Sequence, residues 1–245
     1  GIPSYKLNRD VIDAEIDIMR EMGVEIRCGI EVGKDITLDQ LREQGFQAFY
    51  VAIGCQGGRG AGIPGEDADG VTTAVDFLHE DSSGKPAQVP ERVVVVGGGN
   101  VAMDAASCAK LSGAESVKVF CLEPRDQMPA TEEEVAELLE RGAELSCGWG
   151  PKEVITQDGK VQSIVFKKCT RVFDENGRFA PEYDENDTVT VEAGMIIMAI
   201  GQAIEWGGLL EGEKVELGRG NGPQADKLTY QTAQEDIFVG GDGYT

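Results

Sequence analysis

Three glycines and one acid carry the chemistry most readable in this sequence. Gly97, Gly98 and Gly99 follow the β-branched run VVVV at 93–96, and a helical pattern starts immediately after them. An unbroken run of this kind marks a central parallel strand buried on both faces. Read as G-x-G-x-x-A, the finger uses Gly97 for a tight turn and Gly99 for close backbone approach to a pyrophosphate. Ala102 then lets helix and strand pack closely. The free N–H groups and positive dipole end of such a helix would face phosphate across residues 97–101, which include Asn100 and Val101. Glu123 stands 21 residues beyond Ala102, near the spacing of about 20 at which an acid meets the ribose hydroxyls of a dinucleotide. A glycine triplet alone serves equally as a plain turn. Strand, finger, helix and acid in this order specify a dinucleotide site.

The acid also bears on which dinucleotide is held. A carboxylate at Glu123 accepts hydrogen bonds from the ribose of NAD(H) and repels the 2′-phosphate of NADP(H), so NAD(H) is favoured. Arg125 can swing to a phosphate and soften that preference. No catalytic acid or base is expected, because hydride transfer between two cofactors needs none.

These residues need elements to hold them. The helix after the finger presents Ala102, Ala105, Ala106 and Ala109 on one face, and a second strand is expected at 116–121. A helix at 132–141 with Val135, Leu138 and Leu139 inward and a strand at 143–147 continue the α/β alternation. Then the period changes. Segments 153–156, 161–168 and 188–191 alternate as a β-meander, with Asp158-Gly159 as a tight hairpin turn and 174–187 as a linker. A buried strand at 195–200 ends at Gly201.

Upstream, Asn8 caps a helix at 9–22 with Ile12, Ile16 and Met19 on one face and Gly23 as its stop. A strand at 24–28, a helix at 38–43 and a strand at 48–53 ending at Gly54 follow. The Gly-rich stretch 55–70 reads as a crossover, a short helix at 72–80 carries the single His79, to which no role is assigned, and 81–91 is a second loop. FYVAIG at 49–54 and IIMAIG at 196–201 echo one another, each marking a point where the chain leaves one nucleotide domain for its neighbour. IFVGGD at 237–242 places Gly241 and Asp242 at a strand's C-terminal edge, where α/β sheets bind ligands.

Composition sets limits. The 245 residues carry 22 Lys and Arg against 44 Asp and Glu, a net charge of −22, which repels nucleic acid and anionic membranes. No apolar run approaches the ~20 residues of a membrane span. A start at Gly1 without Met reads as an excised portion of a longer protein. No two of the six cysteines form a CxxC pair, which disfavours a redox dithiol and an iron–sulfur or zinc cluster. They read as reduced residues of a cytoplasmic protein.

The ordered set VAIG, GGGNVAMDAA, MPA, MAIG and IFVGGD resembles the two-dinucleotide flavoprotein family, the pyridine nucleotide-disulfide oxidoreductase type, and within it most the small (β) subunit of glutamate synthase. The resemblance spans essentially the whole chain. It implies a Rossmann-like NAD(P) domain with an inserted β-meander at 67–201, flanked by FAD-domain segments at 1–66 and 202–245. It also implies hydride transfer between NAD(P)H and FAD, the Gly201 turn beside the nicotinamide, and Gly54, Gly241 and Asp242 at the flavin. An iron–sulfur or glutamate-synthase-like large subunit is the implied acceptor. The chain departs from the family in two ways. It lacks the family's own FAD finger, and it has Cys121-Leu122-Glu123 where NADPH-using members carry a Tyr-Arg-Arg type of sequence. Two other functions are compatible with the scaffold: a disulfide or peroxide reductase, and a non-catalytic NAD-sensing domain.

Overall fold

The computed structural model describes residues 2–82 and 88–244. From the N-terminus, α1 (Arg9–Glu21) and α2 (Leu38–Glu43) precede β1 (Phe49–Val51) and the short β2 (Gly57–Gly58). An alternating run follows: β3 (Val71–Thr73), α3 (Ala74–Ser82), β4 (Arg92–Val96), α4 (Asn100–Leu111), β5 (Ser116–Cys121), α5 (Glu132–Glu140) and β6 (Glu144–Cys147). Then come β7 (Trp149–Gln157), β8 (Lys160–Phe173), β9 (Phe179–Glu192), β10 (Met195–Met198), β11 (Gln202–Ala203) and β12 (Ile237–Val239).

The chain forms two compact units. One joins the residues through Leu7 to Gly58–Gly201, and the other joins Asn8–Gly57 to the chain from Gln202 onward. The first is built on a parallel sheet ordered β3-β10-β4-β5-β6. Its centre is the valine run of β4, whose side chains alternate between two cores. Val93 and Val95 face α3, α4 and α5, and Ala102, Ala105, Ala106 and Ala109 of α4 are fully buried against them. Alanines there let the helix axis approach the sheet. Val94 and Val96 face the antiparallel meander β7-β8-β9, whose Ile164 and Phe166 are equally buried. Phe166 stacks on Phe120 of β5 with ring centroids 4.1 Å apart, an arrangement worth about 1 kcal/mol beyond its buried area. The sheet is thus covered by helices on one face and by the meander on the other. Asp158 and Gly159, both at positive φ, close the β7–β8 turn, as a two-residue hairpin requires.

The second unit is smaller. β1 and β12 pair in parallel over a core of Leu38, Val51, Leu209, Ile237 and Val239. Arg42 of α2 ties it together, with bidentate bonds to Glu213 at 2.8 Å, a bond to Asp236 at 2.6 Å, and Phe49 under its guanidinium.

Several expectations need correction. The boundary expected at 66 lies at 57/58. Ile63 packs on the meander core, the Pro64 carbonyl accepts from the Val154 amide at 2.8 Å, and Glu66 accepts from the amides of Ala61 and Gly62. Residues through Leu7 also join the first unit, where Tyr5 packs on its helical core and Lys6 bridges Asp104 and Glu134. Residues 24–28 form no strand, since no described residue pairs with them, and Val24 and Ile26 are exposed. The helix α1 forms as expected, capped by Asn8, but buries no residue. Leu139 points outward, because Val135 and Leu138 already fill the inward stripe of α5. The expected linker 174–187 is mostly strand: Asp174 closes a turn by accepting from the Asn176 and Arg178 amides, and β9 returns along β8. The helix expected at 72–80 starts at Ala74, because Thr73 accepts from the Asp76 amide and ends a short strand that pairs with β10. Of the loop at 81–91, residues 83–87 lie outside the described residues.

Candidate functional site

The turn at 97–99 follows β4, where three glycines meet three different demands. Gly97 has φ 145°, and a Cβ there would lie 2.3 Å from the Ala199 carbonyl oxygen. That close approach brings the end of β10 against the finger, where the Ala199 amide also donates to Val96 at 2.8 Å. At Gly98 a Cβ would lie 2.8 Å from Glu123 Oε2, so the carboxylate from the end of β5 rests against the finger backbone. Gly99 is the N-cap of α4, and a Cβ there would meet nothing within 4 Å. No side chain caps this helix and no acid stands in its first turn. Its leading amides and dipole end therefore face open space, a geometry that receives an anion.

The side chains of Asn100 and Val101 have partners within the chain, apart from the helix amides expected to face phosphate. The Asn100 carboxamide oxygen accepts from the Thr131 amide at 2.9 Å, and the Ala130 amide donates to the Gly98 carbonyl at 3.0 Å. These two bonds latch the MPA loop to the finger. Val101 packs on the helical core below.

In front of the finger is a cavity of about 560 Å³, reached by Glu123 on one side and by Ala199, Ile200 and Gly201 on the other. Its size is that of a small-molecule site. The meander supplies a third wall of Trp149, Lys167 and Tyr183 that sequence reasoning missed. Gly150 makes room for it, since a Cβ there would fall 2.5 Å from the Tyr183 ring and 2.8 Å from Leu122. Lys167 lies over the Tyr183 ring at 4.2 Å and bonds Glu185 at 2.7 Å. The one signal for this wall in the sequence is Trp149 set between two glycines just past the sheet edge.

Arg125 does not line this cavity. It sits in the 3-10 turn Arg125–Gln127, and its guanidinium makes a bidentate pair with Glu132, at 3.0 and 2.6 Å. The swing to a phosphate expected from the sequence would have to break that pair.

Three of the thiols are poorly suited to a nucleophilic role. Burial pushes Cys121 up, with Cys147 and Glu123 adding to it, and burial likewise raises Cys169 and takes Cys108 to about 12. Thiolate, the form needed for disulfide exchange, is disfavoured at each. Among the described residues no group of His, Cys, Asp and Glu is placed to hold a metal ion, and no helix is long and apolar enough to cross a membrane.

In the smaller unit the register of β1 and β12 brings VAIG and FVGGD side by side. The Gly240 amide donates to Val51 at 3.1 Å, and the Cys55 thiol donates to the Asp242 carbonyl at 3.0 Å. A Cβ on Gly240 would fall inside the Tyr50 hydroxyl, 1.8 Å away. Gly54, Gly241 and the exposed Asp242 thus share one edge of a two-stranded sheet.

Comparison with known proteins gives the family and the fold. A family model described as pyridine nucleotide-disulphide oxidoreductase matches residues 18–244. The glutamate synthase [NADPH] small chain of Halomonas elongata is 34% identical over 256 residues, covering 99% of this chain and 54% of that protein. The NAD-dependent dihydropyrimidine dehydrogenase subunit PreT of Escherichia coli is 32% identical over 246 residues, covering 99% of this chain and 52% of that one. The chain thus spans about half the length of these relatives. Among solved structures, Mycobacterium tuberculosis FprA in complex with NADPH shares the fold with a TM-score of 0.74 at 18% identity, covering 100% of this chain and 69% of that one. Thioredoxin reductase of T. acidophilum gives 0.62 at 17% identity, covering 81% and 58%.

Proposed function

The chain belongs to the pyridine nucleotide-disulphide oxidoreductase family, and from that premise we propose that it is the nicotinamide-dinucleotide module of a flavoprotein oxidoreductase. The observation that carries the reading is the finger: an uncapped helix N-terminus behind a glycine with open space at its Cβ, and a carboxylate held against the adjacent glycine. The amides at the start of α4 would take the pyrophosphate, Gly99 would let it approach, and Glu123 would accept from the ribose hydroxyls. Ala199, Ile200 and Gly201 would border the nicotinamide. When bound, NAD(P)H and FAD supply the hydride chemistry themselves. This chain contributes position and the exclusion of water.

Glu123 favours NADH. The relatives include proteins named for NADPH and for NAD, and the ribose acid is the feature that supports NADH here. In the smaller unit Gly54, Gly241 and Asp242 would meet the flavin end of FAD. The described residues of that unit contain no glycine finger opening a helix, so they do not anchor an FAD pyrophosphate by themselves. The acceptor would be an iron–sulfur or glutamate-synthase-like partner subunit in the cytoplasm, by analogy with relatives named as chains and subunits of larger enzymes. Burial of Cys108, Cys121 and Cys169 argues against a disulfide reductase that draws its redox cysteines from these three.

The test is a calorimetric titration of the 245-residue chain with NADH, beside an absorption scan near 450 nm after incubation with FAD and desalting. We expect saturable NADH binding and no retained flavin. Absence of NADH binding refutes the dinucleotide reading, and stoichiometric retained flavin refutes the division of labour between the units.

A further inference from the structure

Consecutive lysines on β8 have opposite fates. Lys167 pairs with Thr188 of β9, but Lys168 pairs with Asp184, so the partner strand bulges outward through residues 185–187. The bulge turns Glu185 back onto Lys167 at 2.7 Å and onto Lys152 at 3.4 Å. Lys168 receives no such partner. Asp184 lies across the ladder from it, yet its carboxylate accepts from the Asn186 amide at 2.9 Å. Among the described residues Lys168 makes no ion pair, in a chain of net charge −22. Its ammonium sits 4.6 Å from the centre of the Trp149 ring.

The position of that ammonium is informative. Trp149 lines the finger cavity, so Lys168 lies one ring away from it. Lys168 also lines an adjoining cavity of about 540 Å³ that shares Leu122 as a wall with the finger cavity. Gly148 connects the two groups that matter. Its amide donates to the Glu123 carbonyl at 3.1 Å, and the Lys168 ammonium lies 3.3 Å from where its Cβ would stand. The other cations of this cavity are already engaged, Arg125 by Glu132 and Arg171 by Glu182 at 2.6 Å. Thr170 and Gln127 add neutral hydrogen-bonding groups.

We infer that Lys168 is a specificity residue for a phosphate monoester on the adenosine ribose, opposing Glu123 across the end of β5. The inference rests on the dinucleotide reading above. Glu123 repels a 2′-phosphate, whereas Lys168, with no ion pair among the described residues and its ammonium on the Trp149 ring, attracts one from the neighbouring cavity. The chain then accepts NADP(H) as a second cofactor, and it does so through the meander rather than through Arg125.

The experiment compares 2′,5′-ADP, 5′-AMP and inorganic phosphate on the wild-type chain and on Lys168→Met and Lys168→Arg, by calorimetry and by Trp149 fluorescence in a Trp206→Phe background. Loss of one charge-assisted bond should lower the ratio of 2′,5′-ADP to 5′-AMP affinity about tenfold in Lys168→Met. Lys168→Arg should restore most of it, and in the wild type that ratio should fall as salt rises. An unchanged ratio in Lys168→Met, or a wild-type ratio indifferent to salt, overturns the inference while leaving the finger reading intact. So does Lys168-dependent binding of inorganic phosphate without any Lys168 effect on 2′,5′-ADP, which would mark a free-anion site. If neither 5′-AMP nor NADH binds, the finger reading fails and this inference falls with it.

Discussion

Replacing Gly99 by valine separates the cost to the fold from the cost to the ligand. The residue has φ −92°, which any L-residue adopts, and a Cβ there meets no atom within 4 Å. The fold therefore loses only a favourable N-cap residue, about 0.5–1 kcal/mol. The isopropyl group, however, projects where a pyrophosphate must come down on the helix amides. Charge-assisted bonds of this kind are worth about 1.5–3 kcal/mol each, so forfeiting one or two weakens NADH by about 3 kcal/mol, roughly a hundredfold. Gly97→Val is the contrasting control. Its Cβ would stand 2.3 Å from the Ala199 carbonyl oxygen at a φ of 145°, so it should disrupt the β4–β10 contact and unfold the unit. The assay is NADH calorimetry on each variant after a circular-dichroism melt. A folded Gly99→Val chain that binds NADH as tightly as wild type would refute the placement of the pyrophosphate.

Further outcomes are expected at Glu123 and at Arg42. Glu123→Ala should narrow the preference for NADH over NADPH, worth on the order of 1–3 kcal/mol, and Glu123→Arg should reverse it. Tighter NADPH than NADH binding by the unmutated chain would overturn this account of Glu123. In the smaller unit, Arg42→Met leaves the Glu213 carboxylate, only 6% exposed, without its partner, and should cost about 3 kcal/mol of that unit's stability in urea melts. Arg42 also holds Asp236 below the usual carboxylate range. A depressed carboxylate contributes stability present above its unfolded value near 4 and lost as pH falls through the lower folded value. Wild type should thus lose stability below about pH 4 more steeply than Arg42→Met, and parallel pH profiles would contradict this.

What the sequence determined by itself was local. The valine run, the glycine triplet, the alanine face of α4 and the Asp158-Gly159 turn each depend on residues within a few positions of one another. Their backbone preferences and periodicities are therefore written in the order of the chain. The same holds for Glu123, whose distance from the finger is set by one helix and one strand. Tertiary structure decided the rest. Whether α1 buries its apolar stripe depends on what packs against it, which periodicity does not state. That Arg125 is engaged by Glu132, and that Asn100 latches the MPA loop, are matters of side-chain partners across a fold. The clearest case is Lys167 and Lys168. Adjacent in sequence and identical in type, they differ because a bulge at 185–187 delivers Glu185 to one and not to the other. A register shift reassigns every neighbour beyond it, and strand alternation contains no trace of where it falls.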